Sequence, residues 1–237
     1  MSATIDFHYH MPTEQSDKME FPMGCLISRS SRQNEPCVQE ANSKGVACAL
    51  HIDCDSAARS KLFSLISFQI TYYFHCEILG YDMLRKSVEH MEVAPKLPII
   101  LHLSTHKGGL FSERDAARCL QFMCDNFKDG HLIISHLGGE NCEMVMDYTS
   151  KHKNILLDLS CTKETAVKAG YFEENYFVEN VLTRIAVDQL LYGSDLIVGE
   201  NAGNSHSAWK NHLSEADTNS VYFENARMLL LTAGFEI

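Results

Sequence analysis

Residues 97–137 read LPIILHLSTHKGGLFSERDAARCLQFMCDNFKDGHLIISHL, and this stretch contains a whole strand–helix–strand unit. LPIILHL (97–103) and HLIISHL (131–137) are short isoleucine-rich apolar runs of strand length. Between them, in SERDAARCLQFMCDNF, Ala116, Cys119, Leu120, Met123 and Phe127 recur at three- and four-residue spacing, as on a helix with one buried stripe. Ser112, with Asp115 three residues on, marks the helix start. Two strands joined through a helix lie parallel. Each strand stays apolar until its end, where His102 and His136 stand.

The same unit recurs along the chain. Strands are expected at 4–10, 23–28, 45–52, 68–74, 97–103, 131–137, 154–160 and 190–196. Helix-like segments such as EPCVQEANSK, YDMLRKSVEHMEV, ENCEMVMDYTSKH, ENYFVENVLTRIAVD and SVYFENARMLLLTA lie between or after them. Eight strand–helix steps imply a parallel sheet closed into a (β/α)8 TIM barrel, with a doubly wound open sheet as the alternative. The link between the first two strands is too short for a full helix, so one barrel helix is expected to be shortened or missing there. No Pro/Gly/Ser-rich linker divides residues 1–237, and a single domain is expected.

Composition narrows the partners. The formal net charge is -11 over 237 residues, which offers no basic footprint to nucleic acid and no polybasic patch to an anionic membrane. No apolar run approaches the roughly 20 residues of a membrane span, and the N-terminus lacks a secretory signal. A cytoplasmic protein acting on a small molecule is the expectation, with a homodimer conceivable through apolar helix faces. The nine cysteines include no CxxC pair and read as reduced, mostly packed thiols.

Polar residues fall where a barrel enzyme needs them, at the C-terminal strand ends. His8 and His10 end the first strand, His51 the third, His102 the fifth, His136 the sixth and Asp195 the eighth. In the first strand, simple alternation puts Asp6, His8 and His10 on one face and turns Tyr9 toward the helices. A buried imidazole or carboxylate needs a partner, and a shared divalent metal would serve most of these together. Three histidines and a carboxylate with an open position is the ligand set of catalytic zinc, or of related iron, nickel and manganese sites.

D-x-H-x-H in IDFHYH, the histidine of LPIILHLS, ISHLGG, YGSD and the final FENARMLLL, in this order, resemble the amidohydrolase superfamily. The narrower likeness is to the amidohydrolase 2 branch, which includes aminocarboxymuconate-semialdehyde decarboxylase and related decarboxylases and lactonases, and it spans almost the whole chain. The resemblance implies His8, His10, His102 and Asp195 as metal ligands, with Asp195 also handling the proton. It implies His136 beside the metal, as a ligand or hydrogen-bonded to water or substrate, and Asp6 as support for the first strand. Departures are equally specific. The fourth strand, FQITYYF, has neither the lysine nor the glutamate that bridges two metals in several subgroups, and Gln69 stands near the lysine position. One metal, most readily zinc, is therefore expected.

Arg29, Arg32, Lys107 and His75 are candidates for substrate contact at the rim, where residues 11–22 and 199–215 also fall; Glu77 pairs with His75 as a conceivable second ion site. His206 beside Trp209 is a further rim candidate. The leading functional reading is a metal-dependent hydrolase cleaving a C–N or C–O bond, with Asp195 taking the proton of water and His136 stabilising the developing oxyanion. The alternatives are non-oxidative decarboxylation of a small unsaturated or aromatic acid on the same residues, and a metal-binding barrel without turnover.

Overall fold

The computed structural model describes residues 4–10, 23–28, 30–52, 70–89, 98–104, 111–197 and 207–234. Its strands are β1 (Asp6–His10), β2 (Gly24–Ile27), β3 (Ala47–Ile52), β4 (Ile70–His75), β5 (Ile99–His102), β6 (Leu132–Ile134), β7 (Ile155–Asp158), β8 (Leu190–Leu191) and β9 (Leu196–Ile197). They form one sheet in the order β8-β7-β6-β5-β4-β3-β2-β1-β9, and every pairing is parallel. The last two strands belong to one segment, whose start pairs with β7 and whose end pairs with β1. Between them Phe7 N–H donates to Tyr192 O at 2.9 Å, and the Ser194 and Asp195 amides donate to His8 O at 3.1 and 2.8 Å. Residues 190–197 thus fill the eighth strand position of a nearly closed (β/α)8 barrel, broken in the middle to form a loop into its mouth.

The helices are α1 (Asn34–Lys44), α2 (Cys76–Glu89), α3 (Glu113–Asn126), α4 (Cys142–Thr149), α5 (Thr162–Lys168), α6 (Glu174–Arg184), α7 (Ser207–His212), α8 (Glu215–Asn219) and α9 (Asn225–Thr232). In α3 the Ser112 side chain accepts from Asp115 N, and Ala116, Cys119, Leu120 and Met123 are buried, as the periodicity requires. Residues 11–22 lie outside the described residues, and so does the expected shortened helix after the first strand.

Apolar residues sort into two layers, as alternation along strands buried on both faces demands. Leu26, Leu50, Phe74, Leu101, Ile134, Leu157 and Leu190 pack outward among the helices. Ile27, Ala49, Tyr73, Ile100, Ile133, Leu156 and Leu191 pack inside the barrel, with Ala226, Leu229 and Leu230 of α9. Tyr9 joins the outer layer as expected. Simple alternation fails one step earlier: Phe7 joins the inner layer, because the β1–β2 register shifts between Asp6 and Tyr9. Such a bulge inserts a residue and re-aims the side chains that follow. No helix among the described residues is long and apolar enough to cross a membrane.

Candidate metal centre

At the C-terminal mouth of the strands, His8, His10 and Asp195 converge. His8 Nε2 lies 3.3 Å from His10 Nε2 and 3.3 Å from Asp195 Oδ1, while His10 Nε2 lies 2.8 Å from Asp195 Oδ1. Ligand atoms of a tetrahedral ion with bonds of about 2.0–2.1 Å are roughly 3.3 Å apart. Two of the three separations match an edge of such a site, the third is a hydrogen-bond length, and two imidazoles with a carboxylate suit a divalent transition metal. Asp195 reaches inward from a left-handed backbone, φ 57°.

The supporting contacts fix which nitrogens would face an ion. His8 Nδ1 is hydrogen-bonded to Asp158 Oδ2 at the end of β7, which leaves Nε2 for the cluster; a carboxylate behind a ligating histidine sets its tautomer and orientation. His10 Nδ1 faces Ile27 O at 3.4 Å. Asp6 Oδ1 accepts from His8 N at 3.1 Å and from Ser194 N at 3.0 Å, tying β1 to the loop that carries Asp195. Burial pushes the Asp6 carboxyl up to about 6. For His8, burial opposes charge, but Asp158, Asp195 and Asp6 outweigh it and push the imidazole up to about 9. Burial also works against charge on Asp195 and Asp158, yet the neighbouring histidines hold both carboxyls below the usual range.

His136 stacks against His8 with ring centroids 5.0 Å apart, and burial followed by the charge on His8 pushes it down to about 3. Its Nδ1 lies 2.8 Å from Ser160 Oγ, and Ser160 Oγ–H donates to Asp158 Oδ2 at 2.8 Å. With its proton committed to the carboxylate, Ser160 accepts from His136 Nδ1–H. Nε2 of His136 is therefore the unprotonated nitrogen, and it has no hydrogen-bond partner among the described residues. In this tautomer His136 accepts a hydrogen bond at Nε2.

His102 lies edge-on to His136, centroids 5.0 Å apart, with Nε2 3.2 Å from Ser104 Oγ. It borders the cluster without joining the groups of His, Cys, Asp or Glu whose ligand atoms fall within 4.8 Å of one another. The inward residue of β4 is Tyr73, whose buried ring stands edge-on to His8, His10, His51 and His102 at centroid distances of 5.8, 6.5, 6.1 and 6.2 Å. Gln69 lies outside the described residues.

No protein-family model matches the chain, and no curated protein does. Solved structures match along nearly its whole length. An amidohydrolase from Burkholderia multivorans is 12% identical, with a TM-score of 0.67 over 97% of this chain and 99% of that one. 5-Carboxyvanillate decarboxylase from Sphingomonas paucimobilis is 10% identical, with a TM-score of 0.64 over 98% and 99%. A dihydroxybenzoic acid decarboxylase from a Polaromonas species, with bound manganese and the inhibitor 2-nitroresorcinol, is 15% identical, with a TM-score of 0.57 over 98% and 97%. The chain shares their fold.

That fold accounts for two sequence motifs through close approach. A Cβ on Gly139 of ISHLGG would meet Ser104 Cβ at 2.3 Å, and one on Gly193 of YGSD would meet Asp158 Oδ1 at 2.2 Å and His8 Cβ at 2.8 Å. Asp158, Ser160 and Cys161 escape the sequence reading. Asp158 carries the signal that found the histidines, a polar residue ending an apolar strand; Cys161 hides among cysteines that are otherwise buried in the described residues.

Of the rim candidates, Arg32 is exposed on the turn Ser31–Gln33 and makes no hydrogen bond or ion pair with the cluster. Arg29, Lys107 and His206 lie outside the described residues, as do the side chains of His75 and Glu77. Trp209 is no rim residue. It is fully buried in the outer layer, and its Nε1–H donates to Thr162 Oγ1 at 2.8 Å, because residues 207–212 form α7 where the sequence reads as irregular.

Proposed function

We propose that the chain is a metal-dependent enzyme of the amidohydrolase superfamily that hydrolyses a C–N or C–O bond in a small molecule. The observation that carries this reading is the convergence of His8 Nε2, His10 Nε2 and Asp195 Oδ1 within 3.3 Å of one another, at the barrel end where such enzymes keep their chemistry. A divalent metal held there would lower the pKa of a bound water from about 16 toward 7 and polarise the scissile group. Asp195, ionised and only part-buried, is placed to receive the proton of the attacking water and pass it to the leaving group. His136 accepts a hydrogen bond from water or substrate at Nε2 and so orients it. Asp158 and Asp6 hold His8 and the Asp195 loop in place.

A second reading, decarboxylation of a hydroxylated aromatic acid, is favoured by the decarboxylases among the solved structures of this fold. There Asp195 takes a proton from water and passes it to the ring carbon that loses carbon dioxide. The two separate in one experiment. Metal-loaded protein is assayed in 18O-labelled water against small amides, lactones and hydroxybenzoates. Label in the product acid supports hydrolysis, whereas carbon dioxide release without label incorporation favours the second reading. If the purified protein holds no transition metal and takes up none, both are wrong.

A further inference from the structure

The backbone of Asp195 is fixed by its amide, which donates to His8 O at 2.8 Å, but its side chain is 25% exposed and needs a second hold to keep one direction. Oδ1 faces His8 and His10, and Oδ2 accepts from Cys161 Sγ–H at 3.1 Å. Cys161 stands just past β7, at the residue that precedes α5. A polar side chain there ordinarily turns back onto the free amides of the helix, and Cys161 makes no such bond. Its backbone is left-handed, with φ 51° and ψ 30°, a conformation that a Cβ disfavours and that glycine adopts freely. Among the described residues it is also the one cysteine that is not buried. The position thus carries a side chain against local preference, and that side chain commits its S–H to Asp195.

We propose that Cys161 is a positioning residue for Asp195, whose S–H holds Oδ2 and so keeps Oδ1 turned toward His8 and His10. The proposal rests on the reading that His8, His10 and Asp195 bind a divalent metal, and it names the group that orients the carboxylate among them. A free carboxylate rotates and presents either oxygen. A donor on one oxygen removes that choice before the metal arrives, and a ligand already oriented binds more tightly. A thiol suits this task, because beside a carboxylate it keeps its proton. It is also a weak donor, which orients Asp195 while leaving the carboxylate's charge for the metal and for the proton of the attacking water.

Cobalt(II) is the probe, because its visible bands report the arrangement of its ligands. Full-length protein stripped with chelator should bind cobalt and develop those bands. C161G relieves the backbone and removes the donor. Without metal it should melt at the same temperature as the wild type or higher, yet bind cobalt roughly 10-fold more weakly and with shifted bands. C161S keeps a donor and should bring affinity and bands back toward the wild type; a residue that served the fold alone would move melting temperature and affinity together. C161G binding as tightly as the wild type, or C161S binding as weakly as C161G, overturns the positioning role. So does a sulfur-to-cobalt charge-transfer band in the near ultraviolet of the wild type, which would make Cys161 a ligand. Failure of the wild type to bind cobalt overturns the metal reading itself.

Discussion

Asp158 governs two histidines at once, His8 directly and His136 through Ser160. Replacing it by asparagine keeps the shape and an acceptor but removes the charge. Loss of a carboxylate behind a ligating histidine typically costs 10–100-fold in metal affinity. D158N is therefore expected to retain the fold by circular dichroism and to lose metal to a competing chelator at roughly 10–100-fold lower concentration; unchanged affinity would remove Asp158 from the site. Gly193 gives a steric counterpart. The Cβ of G193A would sit 2.2 Å from Asp158 Oδ1 and 2.8 Å from His8 Cβ, so the variant is expected to lose about 1–3 kcal/mol in denaturant unfolding together with its metal. His8, His10 and Asp195 were legible because each breaks an apolar strand at its end. The same signal at Asp158 passed unread among the leucines of NILLDLS, and the role of Ser160 depends on a through-space relay that no spacing encodes.

Elements differ in how openly the sequence declares them. Helix α3 is plain, since its buried positions recur every three or four residues and Ser112 caps it. S112A should cost about 1 kcal/mol of stability, measured by urea denaturation, with metal content unchanged; a loss of metal would mean that the helix start and the site are coupled. The turn after β6 is the opposite case. His136, Leu137, Gly138 and Gly139 all take positive φ, which sends the chain back across the strand end and brings Gly139 against Ser104. Two of these four are not glycine, so local preference opposes the turn and the packing around it must enforce it. The bulge that turns Phe7 inward and the break that splits the eighth strand into β8 and β9 are likewise set by ring closure. Closure is a property of all the strands together, and a hydrophobic pattern read strand by strand does not contain it.

At the scale of the whole molecule, the mouth concentrates titratable groups whose shifts set how stability follows pH without metal. His8 is raised from 6.5 to about 9, so the folded state holds a proton that the unfolded chain releases. Stability from this group is complete below pH 6.5 and is lost as pH rises through 9, an effect of at most about 3 kcal/mol. Asp6, raised to about 6, gives the same sign between its ordinary value of 3.8 and 6. His136 acts in the opposite sense. Pushed down to about 3, it makes the folded state lose stability as pH falls below 6.5, and the depressed carboxyls of Asp158 and Asp195 add to that loss in more acidic solution. The metal-free protein is therefore expected to be most stable near pH 6–7 and to melt at progressively lower temperature from pH 6.5 to 9 in chelator. D158N takes away the chief charge that raises His8, and its slope between pH 6.5 and 8, below the range where ordinary thiols ionise, should flatten. Metal binding takes the same nitrogen that the extra proton occupies, so loading should remove the alkaline slope as well. A melting temperature that instead rises with pH over this range in the metal-free protein would mean that His8 is neutral, and that the pair it makes with Asp158 carries no charge before the metal arrives.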